Sequence, residues 1–356
     1  MTALVKNIIG AKPSPGAAEV RFLTVDGESA GQRLDNFLFR HLKGVPKTHV
    51  YRIIRSGEVR INKGRAQAET RLAEGDVLRV PPVRVAARAE VEAAAPAAPA
   101  REFPLLHEDD AMLAINKPAG VAVHGGSGVS FGVIEQLRRA RPAARFLELV
   151  HRIDRETSGI LLVAKKRSAL TALQDQFRDR ETGKTYLALV EGNWPANKKV
   201  LDAPLAKYLL PGSPGGAETG ERRVRVVAKD HPDAMRAVTL VKVLARFNLP
   251  GNPSPVSLLA VTIKTGRTHQ IRVHLASAGH AIAGDDKYGN FERNRALQKI
   301  GLKRMFLHAW RLQFTHPASD ERMSLQADLP PELNTLMPPE VLEVLAEHSS
   351  TVSNND

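Results

Sequence analysis

The sequence predicts an α+β protein in two parts: a small basic module, then a larger domain on a mixed, mainly antiparallel sheet. Three observations lead there. Between 103 and 345, strand-like segments come both in succession and interleaved with helical ones, which favours a mixed sheet over a doubly wound parallel one. The run ARAEVEAAAPAAPA, residues 87–100, offers almost nothing that could build a core and reads as a linker. Charge is concentrated ahead of it: Arg33 to Arg88 holds thirteen Lys/Arg against five Asp/Glu, or +8 of the formal +13. The expected organisation is a tail over 1–20, the basic module over 21–86, a linker over 87–102, the large domain over 103–345 and a tail over 346–356.

Within the basic module, Leu34, Phe37, Leu38 and Leu42 recur at helical spacing and Gly44 marks the stop. A second short helix starts near Pro46 and carries Val50, Ile53 and Ile54. GEVRINK turns Val59 and Ile61 inward and Arg60 and Asn62 outward, as a half-buried strand does, and GDVLRV closes the module. In the large domain AMLAINKP, ILLVAK, KTYLALVEG, AVTLVKVLARF, SLLAVTIKTG and MFLHAWRLQFTH read as strands. FGVIEQLRRAR is helical, SALTALQDQFRDR is a helix with Ser168 as N-cap, and THQIRVHLASAG is a short helix capped by Thr268 and stopped by Gly279. SPGGAETGERR reads as a surface insertion, and HSSTVSNND as a disordered end.

Composition narrows the function classes. The 356 residues, 43% hydrophobic and 25% charged, suit an ordinary globular chain. The absence of cysteine excludes disulfides, thiolate metal sites and a cysteine nucleophile, and suits a reducing compartment. No secretory signal or membrane-length apolar run is present, so the expected location is the cytoplasm. The net charge points to a polyanionic partner, with nucleic acid foremost.

Several motifs are decoys. TGKTY contains the GKT of a phosphate-binding loop, but the leading glycine would fall at Arg178. HGGSG at 124–128 suits either a turn or a nest of amides for a phosphate. His269 and His274 lack the acidic partner of a zinc helix and suit packing or RNA-facing roles, and Ser158 lacks a G-x-S-x-G frame. Asp154, in HRIDRETSGILLVAKK, is the carboxylate that stands out. Spacing alone suits a loop ion pair with Arg152 or Arg155. Its place at the mouth of an apolar strand, with the cationic TGRTHQIRVH far along the chain, suits a reactive carboxylate kept ionised by an arginine.

Three segments in order, HRIDRETSG, KTYLALV and TGRTHQIRVH, resemble the signature of the RluA-type pseudouridine synthases. The block from Gly31 to Val80 is similar to the S4 (αL-type) RNA-binding domain found ahead of many of them. NKPAGVAVHGGSG strengthens the likeness to members acting on large-subunit ribosomal RNA. The resemblance implies isomerisation of uridine to pseudouridine by one aspartate, Asp154, without metal or other cofactor. It further implies that Tyr186 packs on the uracil face and that Arg272 pairs with Asp154. Ile271, beside Arg272, would contact substrate, and Arg152 would fill the space left by an extruded nucleotide.

The chemistry agrees with one carboxylate. Glycoside hydrolysis needs two, one of them to protonate the leaving group. Here uracil leaves as a delocalised anion and is recaptured in place. Extruding the base costs a few kcal/mol, which backbone contacts offset. Arg33, Arg52, Arg55, Arg60 and Lys63 are the expected phosphate contacts. The expected partner is large-subunit ribosomal RNA, bound by a monomer without membrane attachment. The alternatives are a non-catalytic RNA-binding ribosome-assembly factor and a base-excising glycosylase.

Overall fold

A computed structural model describes residues 20–27, 29–42, 44–83, 98–125, 131–210, 222–251 and 254–350. The linker up to Ala97, most of the N-terminal tail, HGGSG from Gly126 onward, SPGGAETGERR up to Glu221 and residues 351–356 lie outside them. The chain divides into two units, 1–97 and 98–356.

The first unit contains β1 (Arg21–Thr24), α1 (Leu34–His41), α2 (Lys47–Arg55), β2 (Arg60–Ile61), β3 (Gly64–Arg65) and β4 (Val77–Val80). Its strands form an antiparallel sheet in the order β1-β4-β2-β3. Leu34, Phe37 and Leu38 fall on the buried side of α1, and Val50, Ile53 and Ile54 on that of α2. With Val59, Leu78 and Val80 they make a core of their own. Asn62 and Lys63 take left-handed φ angles of 49° and 70°, the twist a two-residue hairpin requires. β1 carried no readable alternation, because RFLT is largely exposed.

The second unit adds β5 (Leu105–Glu108), β6 (Met112–Lys117), α3 (Val133–Ala140), β7 (Glu148–Leu149), β8 (Ser158–Ala164), α4 (Arg167–Asp179) and β9 (Gly183–Glu191). There follow β10 (Val200–Asp202), β11 (Leu205–Leu209), β12 (Arg222–Val226), β13 (Val238–Asn248), β14 (Pro255–Ile263), α5 (Gln270–Ser277) and α6 (Phe291–Lys299). The last elements are β15 (Leu307–Thr315), β16 (Arg322–Gln326), α7 (Pro331–Asn334) and α8 (Pro339–Ser350). The main sheet runs β10-β13-β14-β9-β15-β8-β6-β5, with β16 beside β15 and β7 beside β8, while β11 and β12 pair separately. Its pairings are antiparallel except that of β8 with β15, so the expected mixed, mainly antiparallel sheet is what forms.

Both faces of this sheet are covered. On β8, Ile160, Leu162 and Ala164 pack with Leu170 and Leu173 of α4, while Leu161 and Val163 pack with Val133 and Leu137 of α3. All seven β8 positions are buried, and burial on both sides explains an apolar run without alternation. On β9, Leu187 and Leu189 join α6, α7 and α8, whereas Ala188 and Val190 join Ile271 and Leu275 of α5.

Two expected helix caps are corrected. Lys165 N donates to Ala111 O, which holds the chain extended through Lys166, so α4 begins at Arg167 with Ser168 already helical. Before α5 the N-cap position is His269; Thr268 lies outside the helix. Gln270 does the local work instead, accepting from Thr265 Oγ1 at 2.7 Å and Arg267 N at 3.1 Å. α8 carries regular structure to Ser350, beyond the boundary composition suggested at 345.

Where β8 passes β15 the backbones nearly touch. Gly159 has φ +110°, and a Cβ there would lie 2.2 Å from Ala309 O. Gly159→Ala should cost roughly 3 kcal/mol or more through backbone strain and overpacking. An unchanged denaturant midpoint would refute this close approach.

Candidate active site

On the α3/α5 face a cavity of about 140 Å³ opens between the loop ahead of β8, the middle of β9 and the start of α5. Asp154, Arg152, Tyr186, Ile271 and Arg272 all line it. Asp154 and Arg272 are 118 positions apart in sequence.

The Asp154 loop is anchored from beneath. Lys117, at the end of β6, is wholly buried, and its Nζ donates to Pro118 O and Val121 O at 2.8 Å and to Arg155 O at 3.1 Å. Gly120 N also donates to Arg155 O, and Thr157 N donates to Asp154 O. Burial pushes the Lys117 ammonium down to about 7. Three carbonyls oppose that push, because a charged amine has three N–H donors to place and a neutral one only two.

Asp154 is held by neither neighbouring arginine. Arg155 pairs with Glu156, and Arg152 is exposed with no ion pair among the described residues. Instead Asp154 Oδ2 lies 3.4 Å from Arg272 Nη1 and 3.9 Å from His269 Nε2, with the Asp154 side chain 24% exposed. Arg272 is fixed by a second carboxylate: its Nε and Nη2 each lie 2.7 Å from an oxygen of buried Asp285. Asp285 also accepts from Lys287 N and Tyr288 N. Burial disfavours the Arg272 charge, and the Asp285 hydrogen bonds outweigh it, so the guanidinium sits above its ordinary value. Asp285 thereby leaves Nη1 aimed at Asp154.

Tyr186 contributes a phenol to the same cavity. Burial, and then the nearby Asp154 charge, push its pKa well above the ordinary value, so it presents a neutral ring. A second cavity of about 490 Å³ shares Arg152, Tyr186 and Arg267 with the first and adds Arg180, Lys184 and Lys264. Burial and the Arg180 charge lower the Lys184 pKa. Such crowding of like charge suits an approaching polyanion.

The other candidates resolve as structure. Ser158 is buried; it accepts from Arg304 Nη2 at 2.8 Å and donates to His308 Nδ1 at 2.9 Å, while His308 Nε2 donates to Ala327 O. It lines neither cavity. Buried His274 bonds Thr239 Oγ1 and Ala203 O. His107, Asp109 and His316 form the one metal-compatible cluster found among the described residues. However, Ser319 N donates to His316 Nδ1, so a neutral His316 carries its hydrogen on Nε2, where it serves Asp109 at 2.8 Å. That donor pattern suits a hydrogen-bonded clasp and not a metal ligand.

In the first unit Arg52, Arg55, Arg60 and Lys63 are exposed. Arg55 lines a groove of about 850 Å³ with Tyr51, Arg65 and Gln67. Arg33 differs, because its guanidinium grips buried Asp35 through bonds of 3.1 and 2.7 Å and also reaches Glu69. It braces the start of α1. Sequence reasoning missed Lys117, His269, Asp285 and Tyr288 as parts of the site. The available signals were a lysine closing a buried strand and the polar stretch GDDKYG.

Comparison with known proteins agrees with this geometry. A family model described as RNA pseudouridylate synthase matches residues 111–277, and an S4 domain model matches 32–78. The ribosomal large subunit pseudouridine synthase C of Yersinia pestis is 51% identical over 88% of this chain and 93% of its own length. The protein of that name from Haemophilus ducreyi is 48% identical over 90% and 96%. The structure of human RNA pseudouridylate synthase domain-containing protein 4 superposes with a TM-score of 0.51 at 28% identity, covering 66% of this chain and 94% of its own. The chain belongs to the RNA pseudouridylate synthase family, and it is an enzyme with an S4 RNA-binding domain ahead of the catalytic one. Among the described residues no helix is long and apolar enough to cross a membrane.

Two histidines, His308 buried and His151 half-buried, make a pH prediction. Burial pushes His308 down to about 4 and His151, stacked on Phe177, to about 3. The unfolded chain takes up protons near 6.5 that these rings refuse. Stability should therefore fall with pH from about 6.5 to about 4 for His308, and on to about 3 for His151, by about 1.4 kcal/mol per unit per group. Denaturant titrations of His308→Gln, which cannot titrate there, should show a flatter slope across the first window.

Proposed function

We propose that this chain isomerises uridines of large-subunit ribosomal RNA to pseudouridine, with Asp154 acting on the ribose. The observation that carries the reading is the approach of Arg272 Nη1 to Asp154 Oδ2 in a cavity walled by the Tyr186 phenol. Oδ1 of Asp154 has no hydrogen-bond partner among the described residues and is the oxygen we assign to the sugar. The N1–C1′ bond breaks, the uracil turns, C5 bonds to C1′, and the C5 hydrogen is lost while N1 gains one. Nothing is oxidised or added. Asp154 acts at C1′ or on the neighbouring sugar hydrogen, Tyr186 packs on the base, and Ile271 lends apolar wall.

The RNA-level reading follows from charge. Arg152, exposed at the rim of both cavities, replaces the extruded nucleotide, and Arg180, Lys184 and Lys264 hold flanking phosphates. Arg52, Arg55, Arg60 and Lys63 of the S4 domain add a second cationic surface. The relatives' names indicate the large-subunit ribosomal RNA. All the groups this reading requires belong to one chain, and we read the enzyme as a cytoplasmic monomer.

Asp154→Asn should bind RNA within about twofold of the natural chain and lose turnover by at least about 1,000-fold. Release of tritium from uridine C5 is the readout; activity near that of the natural chain would end the assignment, and strand loss with free uracil would indicate a glycosylase. Replacing Arg52, Arg55, Arg60 and Lys63 together by glutamine should reduce the log–log salt slope of RNA binding by roughly 3. An unaltered slope would remove the S4 surface from the RNA path.

A further inference from the structure

One group beside Asp154 has no part in the reading above. His269 precedes α5 with a left-handed φ of 50°, which a non-glycine residue keeps where its surroundings over-determine it. Its side chain is 14% exposed, with Nε2 3.9 Å from Asp154 Oδ2. On the other side, Nδ1 lies 2.8 Å from Tyr288 Oη, and the two rings meet edge to face at 70°.

Tyr288 decides which nitrogen carries the imidazole hydrogen. Its phenol oxygen accepts from Val224 N at 3.2 Å, a backbone group that can only donate. The other hydrogen-bond partner of that oxygen among the described residues is His269 Nδ1. The phenol hydrogen goes there, so Nδ1 accepts and the imidazole hydrogen sits on Nε2, facing the carboxylate. Burial lowers the His269 pKa against the pull of Asp154, which favours this neutral ring.

We infer that His269 is a positioning residue for the reaction: set in its Nε2–H tautomer by Tyr288, it shares Asp154 Oδ2 with Arg272 Nη1 and so orients Oδ1 toward the ribose. Two donors converging on one oxygen fix the plane of the carboxylate, where one would leave it free to swivel about the contact. At 3.4 and 3.9 Å both approaches are long for hydrogen bonds, and this role requires them to tighten as the carboxylate reacts, as hydrogen bonds in catalytic sites do.

The inference rests on the reading that Asp154 acts on the ribose, so Asp154→Asn is measured alongside. With a C5-tritiated large-subunit RNA transcript, His269→Ala should lower kcat about tenfold or more, with KM held within about twofold. His269→Gln, which returns an N–H near the Nε2 position, should restore most of that loss. Tyr288→Phe should slow turnover less than His269→Ala, and the double variant should be no slower than His269→Ala alone, because the phenol acts through the imidazole. Melting curves show that each variant is folded. A natural kcat in His269→Ala overturns the inference, as do a folded His269→Gln no faster than His269→Ala and losses that multiply in the double variant. If Asp154→Asn turns over, the reading of Asp154 falls whatever the histidine does. If it is silent while His269→Ala is normal, only the role of His269 falls.

Discussion

The bidentate pair between Arg272 and Asp285 is the interaction on which the site depends. Both side chains are almost fully buried, at 6% and 1% exposure, and both guanidinium–carboxylate bonds are short. A buried ion pair is poor evidence of net stability, since desolvation cancels much of the attraction, but breaking one partner leaves a costly unpaired charge. Here its value is directional. A guanidinium with Nε and Nη2 engaged has one edge left, and α5 points that edge at Asp154. The backbone amides of Lys287 and Tyr288 hold Asp285 in turn, so the chain of orientation ends in main chain and not in another mobile side chain.

The same division between fixed support and exposed chemistry recurs around the cavity. Lys117 ties the Asp154 loop to the end of β6 through carbonyls, and Gln270 ties the loop before α5 to β13 through Val238 O and Thr239 Oγ1. Supporting groups are buried and saturated with hydrogen bonds. By contrast, Arg152 at the cavity rim is exposed and has no ion pair among the described residues, as our proposal that it enters the RNA helix requires. The S4 domain shows the pattern in small: Arg33 is used up by Asp35, while the cations of α2 and the β2–β3 turn are left to solvent.

How legible this was in the sequence depends on distance along the chain. α1, α2 and the strand from Val59 follow from local periodicity, and β8 and β9 from apolar runs that needed no partner to be seen. The short edge strands β10 and β16, with few buried side chains, left little to read. Both misplaced caps, Ser168 and Thr268, rested on local capping chemistry that another contact overrode: the distant Ala111 O for one, the neighbouring Gln270 side chain for the other. Asp154 stood out because a lone carboxylate among arginines is conspicuous, but its pairing with Arg272 in place of Arg152 or Arg155 came from the resemblance, since local spacing favours neighbours. Asp285 and Tyr288 were harder to read for a related reason: GDDKYG marks a polar loop, but nothing local distinguishes a guanidinium's anchor from any other loop acid.

The parallel pairing of β8 with β15 joins residues 150 positions apart, such as Ser158 and His308. During synthesis β8 emerges long before its companion exists, an apolar segment with one edge waiting. Loop-closure entropy of that size is recovered only once β15 has been synthesised, which makes assembly slow and exposes an aggregation-prone edge meanwhile. A nascent polypeptide that stops short of β15 therefore holds every atom of the Asp154 loop and still lacks the platform that shapes it, so the site forms when β15 docks and not by degrees.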